Sequence, residues 1–68
     1  MERYCVNENS DEHGYHEVHK VTCDHLPEAQ NQYDLGYCSS CHAALVKAEQ
    51  RFSHVDGCYF CCYECHKH

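Results

Sequence analysis

Large apolar side chains are scarce in this chain, and so are basic ones. The core formers reduce to Val6, Val18, Val21, Leu26, Leu35, Leu45, Val46, Phe52, Val55 and Phe60 among 68 residues. The apolar share of 43% looks ample, but it counts eight cysteines and six tyrosines. A chain this short buries only about 60% of its unfolded surface and is marginal on its own. A fold held by hydrophobic burial alone is not expected, so a disulfide, a metal or a partner must supply the remainder. Five Lys+Arg stand against eleven Asp+Glu, a net charge of -6. Lys47 and Arg51 form a lone pair on a predicted helix, and Lys20 and Lys67 stand apart. No basic stripe is present to neutralise phosphates, so direct nucleic-acid binding is not expected. No apolar run of 18 residues exists, so no membrane-spanning helix is expected.

The usual catalytic patterns are missing too. There is no Gly-x-Ser-x-Gly, no glycine-rich phosphate loop and no recognisable pair of buried carboxylates. The expectation is a protein that is not an enzyme. Met1-Glu2-Arg3-Tyr4 has neither the basic start nor the apolar run of a signal peptide. The expected location is therefore the cytoplasm, where thiols are more often ligands than bridges.

What the chain does have is cysteine and histidine, eight of each. Between Gly57 and His66, two Cys-x-x-Cys pairs abut: Cys58/Cys61 and Cys62/Cys65. Such a turn aims two thiolates at one tetrahedral ion and makes half of a zinc site. Three sets compete for the other half. Cys38 and Cys41 precede Cys58 by sixteen residues and fit a four-cysteine site with Cys58/Cys61. The same pair fits with Cys62/Cys65, twenty residues on. The third set is His19-x3-Cys23 with Cys58/Cys61. Cys41 weighs against the first two sets. It shares a helical stripe with Leu45, Ala48 and Phe52 at i, i+4, i+7 and i+11, and that stripe suits a buried, apolar cysteine.

The pattern along the chain is strand, strand, strand, helix, then a metal turn. Arg3 to Asn7 and Tyr15 to Val21 read as a hairpin across a polar, glycine-ended loop. Residues 32–37 alternate in polarity and read as a third, half-buried strand. Ser39 or Ser40 offers an N-cap for a helix ending near Ser53. Asp56-Gly57 is a turn signal. The expected fold is α+β: a small three-stranded antiparallel sheet with one helix, stabilised by metal, in one zinc-binding domain over 1–68.

The order of His-x3-Cys, a loop with proline, a strand, an alanine-rich helix and a glycine-led Cys-x2-Cys resembles the metal-binding N-terminal domain of the Ada alkylation-repair protein. It is also similar to a group of small bacterial domains with that layout. The residues that carry the resemblance are His19, Cys23, Tyr33 to Leu35, Ala43, Ala44, Gly57, Cys58 and Cys61. The Ada pattern has a cysteine where His19 stands. The resemblance implies Zn2+ held by His19, Cys23, Cys58 and Cys61 between a sheet edge and a turn after the helix. Ada also binds DNA and accepts a methyl group on a zinc-bound cysteine. The acidic charge speaks against the first, and no residue here supports the second.

The other histidines have plainer expectations. His13, His16 and His42 are expected in solvent, and His66 and His68 at a frayed terminus. His25 is an alternative ligand, and His54 a supporting donor. Cys62, Cys65 and His66 form a candidate second site. Tyr59 and Tyr63 are expected to cover the first one. Cys38-x-x-Cys41 opens a helix whose dipole would lower a thiol pKa, so it is the best redox pair. The functional expectation is a monomeric zinc-stabilised binding or adaptor module whose partner is another protein or a small ligand. Its alternatives are a metal-handling or redox-sensing thiol protein and a disulfide-stapled secreted domain.

Overall fold

Asp11 sets up the first hairpin. Its Oδ1 accepts the backbone N–H groups of His13 and Tyr15, each at 2.9 Å. This Asx turn reverses the polar stretch after β1 (Glu2–Asn7) and delivers the chain into β2 (His16–Lys20). The computed structural model describes residues 1–68. β3 (Gln32–Cys38) follows a single 3-10 turn, Ala29–Asn31. The helix α1 (Cys41–Glu49) comes next, then β4 (Val55–Gly57) and a closing 3-10 turn, Tyr63–Cys65.

The strands form one sheet in the order β3-β1-β2-β4. β1 is antiparallel to β2 and β3, whereas β4 runs parallel to β2. The small α+β fold with one helix is as expected from the sequence. The three-stranded antiparallel sheet is not: the sheet has four strands and is mixed. The fourth strand is only Val55-Asp56-Gly57, which the sequence presents as a turn. Its position after the helix makes the parallel pairing possible, since a parallel neighbour needs a crossover connection.

The helix starts where Ser40 Oγ accepts the Ala43 N–H at 3.2 Å, the N-cap arrangement expected of a serine. It ends at Glu49, one turn before the expected Ser53. Its inner face is small: Cys41, Ala44 and Ala48 are buried. They pack on Tyr4, Val6, Val18 and Leu35 of the sheet. The two alanines let the helix sit close, which suits a chain with few large side chains.

Alternation places Tyr4 and Val6 toward the helix and Cys5 on the opposite face. His19, opposite Cys5 in the β1–β2 pairing, shares that second face. β3 does not alternate simply. Its register against β1 shifts between Tyr4 and Cys5, so Leu35 is an extra residue. Gly36 has φ of 75°, a conformation that side chains other than glycine's resist. The resulting bulge re-phases the strand: Leu35 and Cys38 point inward, and Tyr37 is exposed. Lys47 Nζ donates to the Leu35 carbonyl at 3.1 Å.

Candidate metal centre

β2 delivers the first ligand-type side chain of the centre, and β4 leads into the last two. Because β4 pairs in parallel with β2, the turn that follows it rises beside the end of β2. The Cys58 N–H donates to the Val18 carbonyl at 2.9 Å and fixes that approach. Residues 58–61 then turn back on themselves, with the Cys62 N–H on the Cys58 carbonyl at 2.9 Å. Cys23 comes from the turn after β2, closed by its N–H on the Lys20 carbonyl at 3.0 Å.

These connections bring His19, Cys23, Cys58 and Cys61 together, with one ligand atom from each all within 4.8 Å of one another. Cys23 Sγ and Cys58 Sγ are 3.9 Å apart, and Cys61 Sγ lies 4.0 Å from His19 Nδ1. A tetrahedron with zinc–sulfur bonds of about 2.3 Å has edges of about 3.8 Å between sulfurs. The four residues thus fit a tetrahedral cation in both number and spacing. His19 and Cys58 are each only 2% exposed, while Cys23 and Cys61 are half-buried.

Burial pushes the Cys58 and Cys61 thiols up and the His19 imidazole down, because a low-polarity setting disfavours the charged form of each. Backbone donors oppose this at sulfur. The Lys20 N–H donates to Cys61 Sγ and the His25 N–H to Cys23 Sγ, each at 3.3 Å. The N–H groups of Cys61 and Phe60 pull the Cys58 thiol back down. Donors aimed at sulfur favour thiolates, the form a metal binds.

Glu17 belongs to no motif that would single it out. Its Oε1 is 3.7 Å from His19 Nε2, the ring nitrogen not facing Cys61. At that distance the contact is not a hydrogen bond, but it sets a carboxylate beside the ring nitrogen that faces away from the cluster. The signal was available: residues i and i+2 on a strand share a face.

Gly57 is where the turn packs tightest. A Cβ there would lie 2.7 Å from the Cys62 carbonyl oxygen and 2.7 Å from Cys65 Cβ. Next to it, Asp56 is 3% exposed and pins the tail. Its Oδ1 accepts the N–H groups of Gly57 at 2.9 Å and Lys67 at 2.8 Å, and Oδ2 accepts that of His68 at 3.0 Å.

Several expectations are corrected here. Neither four-cysteine set assembles. Cys41 is not a free core thiol: it forms a disulfide with Cys65, 24 residues on. That bond also removes Cys41 from a redox pair with Cys38, which is buried with its Sγ 3.9 Å from the Leu35 carbonyl. Cys62 is a buried free thiol, 3.9 Å from Cys61 Sγ. His66 does not join Cys62 and Cys65, because its Nδ1 donates to the Gly57 carbonyl at 2.9 Å. His66 and His68 are not frayed: Asp56 ties their backbone, and His68 stacks on Tyr15 at 4.1 Å. His25 contributes its N–H to the centre, while its ring stacks on Phe60 at 3.8 Å. His54 accepts the His16 N–H on its carbonyl at 2.8 Å, as part of the β2–β4 approach. Tyr59 and Tyr63 are 53% and 66% exposed, and Tyr59 packs edge-on against Phe60, Tyr63 and His66.

A second group lies on the helix side: donor atoms of Cys41, His42 and Cys65 also fall within 4.8 Å of one another. No helix is long and apolar enough to cross a membrane. No known protein family, curated protein or solved structure matches this chain.

Proposed function

We propose that this protein is a zinc-stabilised binding module, with one Zn2+ held by His19, Cys23, Cys58 and Cys61. The observation that carries the reading is the convergence of those four ligand atoms within 4.8 Å, from residues up to 42 positions apart. Three thiolates and a neutral imidazole suit a borderline-soft dication. They leave one net negative charge, which the N–H groups at Cys61 and Cys23 help to offset. All four positions belong to the protein, as in structural sites rather than catalytic ones. The role of the centre is therefore to join β2, the loop after it and the turn after β4 into one scaffold. The resemblance to the Ada metal-binding domain belongs to this reading as a likeness of layout, without its methyl transfer.

The acidic charge directs the module toward a protein or small-ligand partner rather than nucleic acid or membrane, and we take the working unit to be a monomer of the cytoplasm. Tyr59, Phe60 and Tyr63 form an exposed aromatic group on the turn that the cation would brace. Because a structural metal's binding free energy is largely folding free energy, metal content and folding should move together. The test is elemental analysis of protein purified without added metal, followed by EDTA in reducing buffer. The expected result is one zinc per chain and loss of amide-proton dispersion on chelation. An unchanged amide spectrum after complete metal removal would overturn the reading.

A further inference from the structure

The corner where α1 begins holds a disulfide and a set of metal-ligand atoms in the same place. Cys41 is the first residue of the helix and Cys65 the last of the closing 3-10 turn. His42 follows Cys41, and its donor atom lies within 4.8 Å of both sulfurs. Glu64, beside Cys65, brings a carboxylate oxygen to 3.9 Å from His42 Nε2. The sulfurs are buried and the His42 side chain is 65% exposed, so the group opens to solvent on its imidazole side.

We propose that this corner is a second metal site, closed while Cys41 and Cys65 are a disulfide and opened by two-electron reduction. The reductant is a dithiol. It takes up the disulfide's place by becoming oxidised itself, and Cys41 and Cys65 each gain one electron and one proton. A divalent cation of the zinc class then displaces the two thiol protons and takes two thiolates and the His42 imidazole as donors, with water completing its shell on the open side. Oxidation by a small-molecule disulfide runs the sequence backward. The sulfur–sulfur bond reforms as the two thiolates give two electrons to the oxidant, which takes two protons from water to make its thiols, and the cation leaves.

The corner is built to survive opening. The Cys65 N–H donates to the Cys62 carbonyl at 2.9 Å, and the His66 N–H to that of Tyr63 at 3.0 Å. Asp56 holds the following residues, and the Ser40 cap holds the helix start. None of these contacts needs the disulfide, so the two thiols stay near each other once formed. The same place is thus tied covalently in one redox state and by a cation in the other. This inference is independent of the His19 centre.

The test is a Co2+ titration of the full chain read by thiolate charge-transfer absorption, with and without a dithiol reductant, the redox state being checked by thiol alkylation and mass. The reduced chain should bind one more equivalent than the oxidised chain. The extra equivalent should vanish in Cys65→Ser. His42→Ala, an exposed change that spares the fold, should weaken it by more than the roughly 10–100-fold that loss of an outer-shell partner costs. Equal stoichiometry in the two redox states would overturn the proposal. So would an extra equivalent that persists in Cys65→Ser, since it would then belong to Cys5, Cys38 or Cys62. If the His19 centre itself fails to bind, the oxidised chain takes up nothing and the reduced chain one equivalent that Cys65→Ser removes, which still supports the second site.

Discussion

Cys58-x-x-Cys61 and Cys62-x-x-Cys65 have the same spacing and touch in sequence, yet they end in different chemistry. The first pair lies on one turn, and both sulfurs meet His19 and Cys23. The second pair splits: Cys62 stays a buried thiol, and Cys65 crosses to the helix as a disulfide. The difference is in the backbone between the cysteines. Residues 58–61 close a turn that presents both side chains to one side, whereas 63–65 wind into a 3-10 turn. The motif alone does not decide between ligand and bridge; the next element the side chain meets does.

The sharpest way to break the comparison is to remove one ligand from the first pair. Cys61→Ser should abolish cooperative folding. Structural zinc contributes about 10–16 kcal/mol in small zinc domains, against a total stability of about 5–15 kcal/mol for ordinary domains. Circular dichroism during a urea titration would check this, and a wild-type-like transition would show that the four residues do not hold the fold.

A smaller effect is expected at the other corner. Cys41→Ala removes a bridge spanning 24 residues and should cost about 3 kcal/mol on the chain-entropy account. The variant should keep its first zinc, because Cys41 takes no part in the His19 centre. Urea unfolding with parallel metal analysis separates the two results; loss of that zinc would mean the corners are one site.

The smallest effect comes from pH. Burial holds the His19 imidazole below its ordinary 6.5. The unfolded chain takes up that proton more readily than the folded chain. Stability is therefore fully present above about pH 6.5 and declines as the pH falls from there through the lower folded value. The His19 proton alone contributes at most about 1.4 kcal/mol per pH unit, and protonation of the three thiolate ligands adds to it. The Cys41–Cys65 disulfide does not titrate. Acid should loosen the first corner and leave the second, and a dithiol should do the reverse. Urea midpoints at pH 7.5 and 5.5, with and without reductant, would show whether the two respond separately.

The thin core and the cysteine spacings offered three sets of four residues, and the fold brings one of them together, His19, Cys23, Cys58 and Cys61, as a cluster that could hold a metal ion. The Ser40 cap and the first three strands were legible for local reasons. The rest depended on non-local geometry. Val55-Asp56-Gly57 reads as a turn because Asp-Gly usually is one, and only the parallel partner β2 makes it a strand. The Cys41 stripe was real, but a buried helical cysteine looks the same whether its sulfur is free or bonded, and connectivity cannot be deduced from spacing. Asp56 looked like turn chemistry and turned out to anchor the tail.

The bulge at Leu35 and Gly36 has a further effect, on how copies of this chain meet. β3 lies at the edge of the sheet, and a straight edge strand is a template on which another chain can pair. The kink at Gly36 breaks the regular spacing of that edge and adds twist. Lys47 already holds the Leu35 carbonyl and brings a charge to the same stretch. One glycine and one lysine thus blunt the strand most exposed to fibre-like stacking, in a protein with too little core to tolerate partial opening.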